Sequence, residues 1–166
     1  MKKNSLKIVD RPPCPRSVRS ILKRIAADIR DSLLTHGGKS KLHPRDWSDV
    51  ITKKIVKKWK LVEFMHDGCS RFAYRSSKYE VIIKCPYGGH KKSPSRAALP
   101  TEFVEISDDG YDNRIFIQPM IDVSWHSVER AFDLLWNDRR VKRQVRDLHD
   151  GNVGVFRHKY AVVHDW

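Results

Sequence analysis

The oxygen-bearing side chains of one short segment hold the first chemistry in this sequence. Asp147 and Asn152 stand five residues apart in Arg146-Asp147-Leu148-His149-Asp150-Gly151-Asn152, and Asp165 follows the alternating stretch 153–163. If that stretch folds back as a hairpin, its end carries Asp165 toward the mouth of the same loop. An amide and two carboxylates suit a hard cation such as Mg²⁺, which takes oxygen ligands and bridges phosphates. Asp, Asn and Gly are also ordinary turn formers, so the segment alone reads equally as a loop. Other chemistries lack their signatures. There is no HExxH, GxSxG or GxxxxGK[ST]. Cys14, Cys69 and Cys85 are an odd number without CxxC spacing, which argues against a disulfide framework or a cysteine zinc site and for a reducing compartment. Lys2 and Lys3 have no apolar run behind them, so no secretory signal is expected and the expected location is cytoplasmic.

The elements that must position these residues follow from periodicity. Val18, Ile21, Leu22, Ile25, Ile29 and Leu33 recur at helical steps from Arg16 until Gly37-Gly38. A second helix is expected from Pro44, with Trp47, Val50, Ile51, Ile55 and Trp59 on one side and Lys53, Lys54, Lys57 and Lys58 on the other. Trp47 and Trp59 share the apolar side and read as core rather than as base-stacking platforms. Short strands are expected at 61–65, 71–74, 79–83, 102–106 and 114–117, and consecutive antiparallel pairing is the simplest topology. Residues 86–98 read as a loop. Val128, Ala131, Phe132, Leu135 and Trp136 mark a further helix that can continue through 139–146. A hairpin, 153–156 and 160–163, closes the pattern.

On these residues the sequence resembles the protein-kinase-like superfamily. Arg146-Asp147-Leu148-His149-Asp150-Gly151-Asn152 is similar to its catalytic loop, in wording closest to the aminoglycoside-phosphotransferase and small phage-kinase branches. Val163-His164-Asp165-Trp166 stands where that family has its metal-binding Asp-Phe-Gly. Val81-Ile82-Ile83-Lys84 resembles the strand that presents the phosphate-binding lysine, and the stretch 65–74 resembles the turn over the phosphates. The resemblance implies these roles. Lys84 contacts the α- and β-phosphates of ATP. Asp147 orients or deprotonates the acceptor hydroxyl. Asn152 and Asp165 hold Mg²⁺, and the backbone near Gly68, with Ser70, covers the phosphates. His149 would orient the loop. The remaining histidines, His36, His43, His90, His126 and His158, read as loop or surface positions.

The sequence also departs from that family. The phosphate turn keeps one glycine, Gly68, with His66 where an early glycine is usual. The stretch between Lys84 and Leu99 contains Pro86, Gly88, Gly89 and Pro94 and no Glu, so the helix that normally pairs a Glu with the lysine is not expected there. An acid of the leader, Asp28, Asp31 or Asp49, is the expected substitute. The sequence ends at Trp166, so most of the helical large lobe is missing from the resemblance, and the acceptor is expected to be held by the leader, by a second copy or by a partner.

Composition sets the frame. The 166 residues suffice for one sizeable core, and 40% apolar with 32% charged residues is a globular balance. No run reaches the roughly 18 apolar residues of a membrane span. The net charge of +13 is uneven: residues 1–60 carry 17 Lys and Arg against 5 acids, residues 61–166 carry 16 against 15. The expected architecture is therefore α+β. A basic helical extension, 1–60, packs on a minimal kinase-like domain, 61–166, made of a five-stranded antiparallel small lobe, one helix and a catalytic hairpin. The expected function is ATP- and Mg²⁺-dependent transfer to Ser/Thr hydroxyls of a protein. The alternative is a catalytically degenerate kinase-like protein whose basic residues 16–60 bind nucleic acid or an acidic protein.

Overall fold

The computed structural model describes residues 5–35, 47–64, 70–86, 96–106, 114–145 and 148–164. The chain is α+β and divides into two compact units, each described by itself. One holds Pro15–His90 and Thr101–Pro119; the other holds Met1–Cys14, Lys91–Pro100 and Met120–Trp166.

The first unit is a sheet covered by helices. Its strands are β1 (Val62–Phe64), β2 (Ser70–Ser76), β3 (Val81–Pro86), β4 (Glu102–Glu105) and β5 (Arg114–Pro119). All pairs are antiparallel, but the order is β1-β2-β3-β5-β4 rather than consecutive. Burial accounts for the exchange. Residues 115–119 of β5 are all buried, which suits an interior strand, whereas β4 buries only Val104 and takes the edge.

Helix α1 (Arg16–Thr35) has the expected stripe, with Leu22, Ile25, Ala26, Ile29, Ser32 and Leu33 buried. Its apolar residues share a core with Ile83, Val104, Ile115 and Ile117 of the sheet. The second expected helix is broken in two, α2 (Trp47–Val50) and α3 (Lys53–Trp59). Thr52 causes the break. Its backbone is extended, and its hydroxyl accepts from the Ile55 N–H at 3.4 Å, so it caps a new helix instead of continuing the old one. Lys60, left-handed at φ 52°, ends α3. Trp59 is buried, as its spacing implies. Its indole N–H donates to Asp28 at 2.6 Å, Lys58 pairs with the same carboxylate at 2.6 Å, and the ring meets Tyr79 edge-on.

The second unit is built around the hairpin of β6 (Val153–Phe156) and β7 (Tyr160–Val163). Helix α4 (Trp125–Trp136) buries Val128, Ala131 and Leu135 in the same core as Val153, Val155 and Val163. It does not run on through 139–146. Asp138 accepts from the N–H groups of Arg140 and Val141 and starts a separate helix, α5 (Arg139–Gln144). Two distant stretches lie beside β7. Lys7 exchanges backbone bonds with Lys159 and Ala161 at 2.8 and 3.0 Å, while Ala97 and Leu99 bond Val163 at 2.8 and 3.0 Å. Asp122 pairs with Val155, and the close pass explains Gly154: a Cβ there would lie 2.6 Å from Ile121 and 3.1 Å from the Asp122 carbonyl.

Arg96 fastens these stretches together. Its Nε donates to Asp138 at 2.7 Å, its Nη1 to Asp10 at 2.9 Å, and its backbone N–H to the Gln144 side chain at 3.1 Å. Burial pushes the Asp138 carboxyl up, but its bonds from Arg96 and two backbone N–H groups outweigh this and hold it below its usual value. The Arg96 hydrogen bond holds Asp10 low as well. Carboxylates depressed in the folded state contribute stability above the unfolded value, lost as pH falls through the folded one. Arg96→Met is therefore expected to melt lower at pH 7, by about 2–4 °C for each kcal/mol lost at this length. The gap should narrow as pH drops below about 3.9, the usual aspartate value. Calorimetric melts from neutral to acid pH check this; a gap that ignores pH would mean that Arg96 acts by packing alone.

Candidate active site

Strand β3 runs through the interior of its sheet, between β2 and β5. Val81, Ile83 and Cys85 point into the core shared with α1 and α3. Successive side chains alternate, so Ile82 and Lys84 point to the opposite face. Lys84 is nonetheless only 3% exposed. Its cross-strand neighbours are Ala73 on β2 and Phe116 on β5. Gln118, on the same face two residues along β5, is also buried and donates to the Thr101 hydroxyl at 3.1 Å. Phe116 meets Phe103 edge-on, with ring centroids 5.1 Å apart. Lys84 thus emerges on a buried face of small, aromatic and amide side chains, which presents an ammonium in a low-dielectric setting.

This geometry corrects one expectation. The leader does pack on the sheet, but on the face away from Lys84. Asp28 is engaged by Lys58 and Trp59. Asp31 belongs to α1, and Asp49 lies beside Val50, which is part of the core on that far face. None of the three occupies the side of the sheet from which Lys84 projects.

In the other unit the loop after α5 closes on itself. Asp150–Asn152 form a single 3₁₀ turn capped by His149, whose Nδ1 accepts from the Gly151 N–H at 3.1 Å. A Cβ at Gly151 would meet the His149 ring at 3.0 Å, so glycine lets the ring fold over the turn. Asn152 is buried, and its Oδ1 accepts from the His149 N–H at 3.1 Å. The Asn152 carbonyl accepts from the His164 N–H at 3.0 Å, which ties the loop to the end of β7. His149 therefore orients this loop, and Asn152 is fixed in place by it.

The other expected site residues are distributed as follows. Lys84 and Ser70 lie in the sheet unit, where Ser70 opens β2 opposite Pro86, two positions along the ladder from the Ala73–Lys84 pair. Asn152 lies in the hairpin unit. Asp147, Asp165 and Gly68, with the 65–69 turn, fall outside the described residues. Sequence reasoning missed Arg96, which sits at the end of a stretch that reads as loop. It also missed Asp122, whose carboxylate accepts from Ser127 at 2.6 Å and from the Ser124 N–H at 2.9 Å and so anchors the start of α4. Those bonds hold the Asp122 carboxyl below its usual value. The pattern Asp-x-Ser-x-x-Ser before a helix was the available signal. A groove of about 610 Å³ lies elsewhere in the sheet unit, lined by Arg30, Leu33, Leu34, Phe103, Glu105 and Arg114, and contains none of the expected site residues.

Comparisons with protein-family models, with curated proteins and with solved structures return no match. The likeness to the protein-kinase-like superfamily rests on the residues quoted above.

The register of β3 decides which face Lys84 serves, and Cys85 reports on it. Burial raises the Cys85 thiol far above its usual value, so it stays protonated and unreactive. Alkylation of the folded protein at pH 8, mapped by mass spectrometry, should leave Cys85 unmodified until denaturant is added. Rapid labelling in the folded state would mean that β3 has slipped by one residue, placing Lys84 in the core instead.

Proposed function

We propose that this chain is a kinase-like phosphotransferase that moves the terminal phosphoryl group of ATP, with Mg²⁺, to a serine or threonine hydroxyl of a protein. The observation that carries this reading is Lys84: a lysine buried on the third strand of a five-stranded antiparallel sheet, on the face opposite the helices. Protein kinases carry their phosphate-binding lysine on the third strand.

The loop around Asn152 supports the same reading. Its amide oxygen is held in one orientation by His149, and the His164 N–H ties the residue before Asp165 to the Asn152 carbonyl. The donor set fits a hard cation in kind, an amide oxygen together with carboxylates. In this proposal Asn152 and Asp165 would hold Mg²⁺, which when bound supplies charge neutralisation at the phosphates. Lys84 contacts the α- and β-phosphates as a point charge. Gly68 and Ser70 cover them, and Asp147 accepts the proton of the acceptor hydroxyl. Phosphoryl transfer asks the protein mainly for positioning and charge, and fixed, buried groups supply both without reorganisation.

Thermal-shift and calorimetric titration with ATP and Mg²⁺ test this, with radiolabelled transfer to a generic basic protein substrate followed in parallel. Wild type should bind nucleotide in a Mg²⁺-dependent way. Lys84→Met should weaken binding at least tenfold, and Asp165→Ala should abolish the Mg²⁺ dependence. Asp147→Asn should retain binding and lose transfer by a factor of about 10² or more, the usual yield of a positioned base. Wild-type protein that neither binds nucleotide nor transfers label would overturn the proposal.

A further inference from the structure

The sheet unit carries a second feature that phosphoryl transfer does not use. Its helices α1, α2 and α3, with Lys60, hold ten lysines and arginines against three aspartates, and all ten cations are exposed. One of the three acids, Asp28, is already neutralised by Lys58 and by the Trp59 N–H. The cations are also ordered. On α1, Arg16, Arg19, Lys23 and Arg30 follow helical steps along one flank, a row about 21 Å long at 1.5 Å per residue. On α3, Lys53, Lys54 and Lys57 point away from the buried Ile55 and Trp59. Asp28, bonded to Lys58 and Trp59, holds the two helices side by side, so both cation groups are fixed on a rigid support.

We infer that this surface binds the phosphate backbone of a nucleic acid. Three polyanions could meet it, and the structure favours one. A membrane surface would take an amphipathic helix by its apolar face, but Leu22, Ile25 and Ile29 of α1 are sealed in the core. An acidic protein would need an apolar anchor at the centre of the contact. Around Arg16, Arg19 and Lys23 the exposed neighbours on α1 are Ser17, Ser20 and Ala27, and the groove of Leu33, Leu34 and Phe103 borders only Arg30 of the row, toward the far end of the helix. A nucleic acid needs neither. It offers a negative charge about every 1.7 Å of duplex, and its affinity comes from counterions released by lysine and arginine. Three of the four cations in the α1 row are arginines, whose planar fork matches phosphate oxygens. No base-reading side chain is invoked, so binding is independent of sequence.

The test is fluorescence anisotropy with a labelled duplex of random sequence, titrated with the full chain over about 50–300 mM salt. Two triple variants remove charge from the surface: Arg16→Gln with Arg19→Gln and Lys23→Gln, and Lys53→Gln with Lys54→Gln and Lys57→Gln. A third removes the same charge from the other unit: Arg139→Gln with Arg143→Gln and Arg157→Gln. Each helix triple should weaken low-salt binding at least tenfold and flatten the slope of log affinity against log salt by about 2–3, at about 0.9 per lost phosphate contact. The third variant should stay within twofold of wild type. Circular dichroism melts confirm that all variants are folded. The inference is overturned by any of these results: no binding at the lowest salt, equal losses in all three variants, or competition by polyglutamate or phosphatidylserine vesicles as effective per charge as unlabelled duplex. Nucleotide binding at Lys84 is measured separately, so neither result decides the other.

Discussion

The guanidinium of Arg96 is the contact on which one of the two units depends. That unit is assembled from three separate lengths of chain: the last supplies most of the core, and the first two lay Leu6, Ile8 and Ala97 against it. Arg96 comes from the middle length and bonds Asp10 from the first and Asp138 from the third. Its own backbone then leads directly into Ala97 and Leu99, which bond Val163. A planar, always-charged group suits this task, because one side chain can satisfy two carboxylates in fixed directions. The bonds hold both carboxyls below their usual values. With those ends held, the hairpin can bury Val153, Val155 and Val163 against α4, and the Asn152 loop acquires a fixed floor.

In the sheet unit the controlling constraint is alternation. The strand Val81-Ile82-Ile83-Lys84-Cys85 sends its odd-numbered residues into the helical core and its even-numbered residues to the other face. Both faces are largely buried, so the strand tolerates only one register. Basic helices and a buried lysine can then coexist in one small unit without competing. The exposed cations of α1 and α3 lie on one side, and buried Lys84 lies on the other.

Much of this was legible in the sequence, and the reasons it stopped are specific. The stripe from Val18 to Leu33 announced α1, because six positions agree with one period. Thr52 and Asp138 are cap residues and could have been read as breaks, but the apolar period runs past both and masks them. The order β5 before β4 was hidden, since a strand pattern tells which face is buried and not which neighbour it has. The face of Lys84 was hidden for a related reason: Ile82 and Ile83 are equally apolar, so alternation cannot be phased. Arg96 lay beyond reach because its partners are 42 and 86 positions away. The candidate site was named from residue types, and what the fold added is the support for Asn152. No periodicity predicts that a histidine N–H would hold its amide.

The three-part construction of the hairpin unit also sets an order of events during synthesis. The ribosome delivers residues from the first onward, and the sheet unit has received its last strand once Pro119 has emerged. The hairpin unit then still lacks α4, α5 and both strands. Its first segment, around Lys7 and Asp10, must wait through more than a hundred residues of elongation for β7, the strand it pairs with. Such long-range closures are slow because chain entropy is lost before contacts compensate for it. The sheet can therefore be complete while Arg96 still lacks Asp138 and Lys7 still lacks β7. The vulnerable interval for this unit is the one between completion of β5 and emergence of β6 and β7.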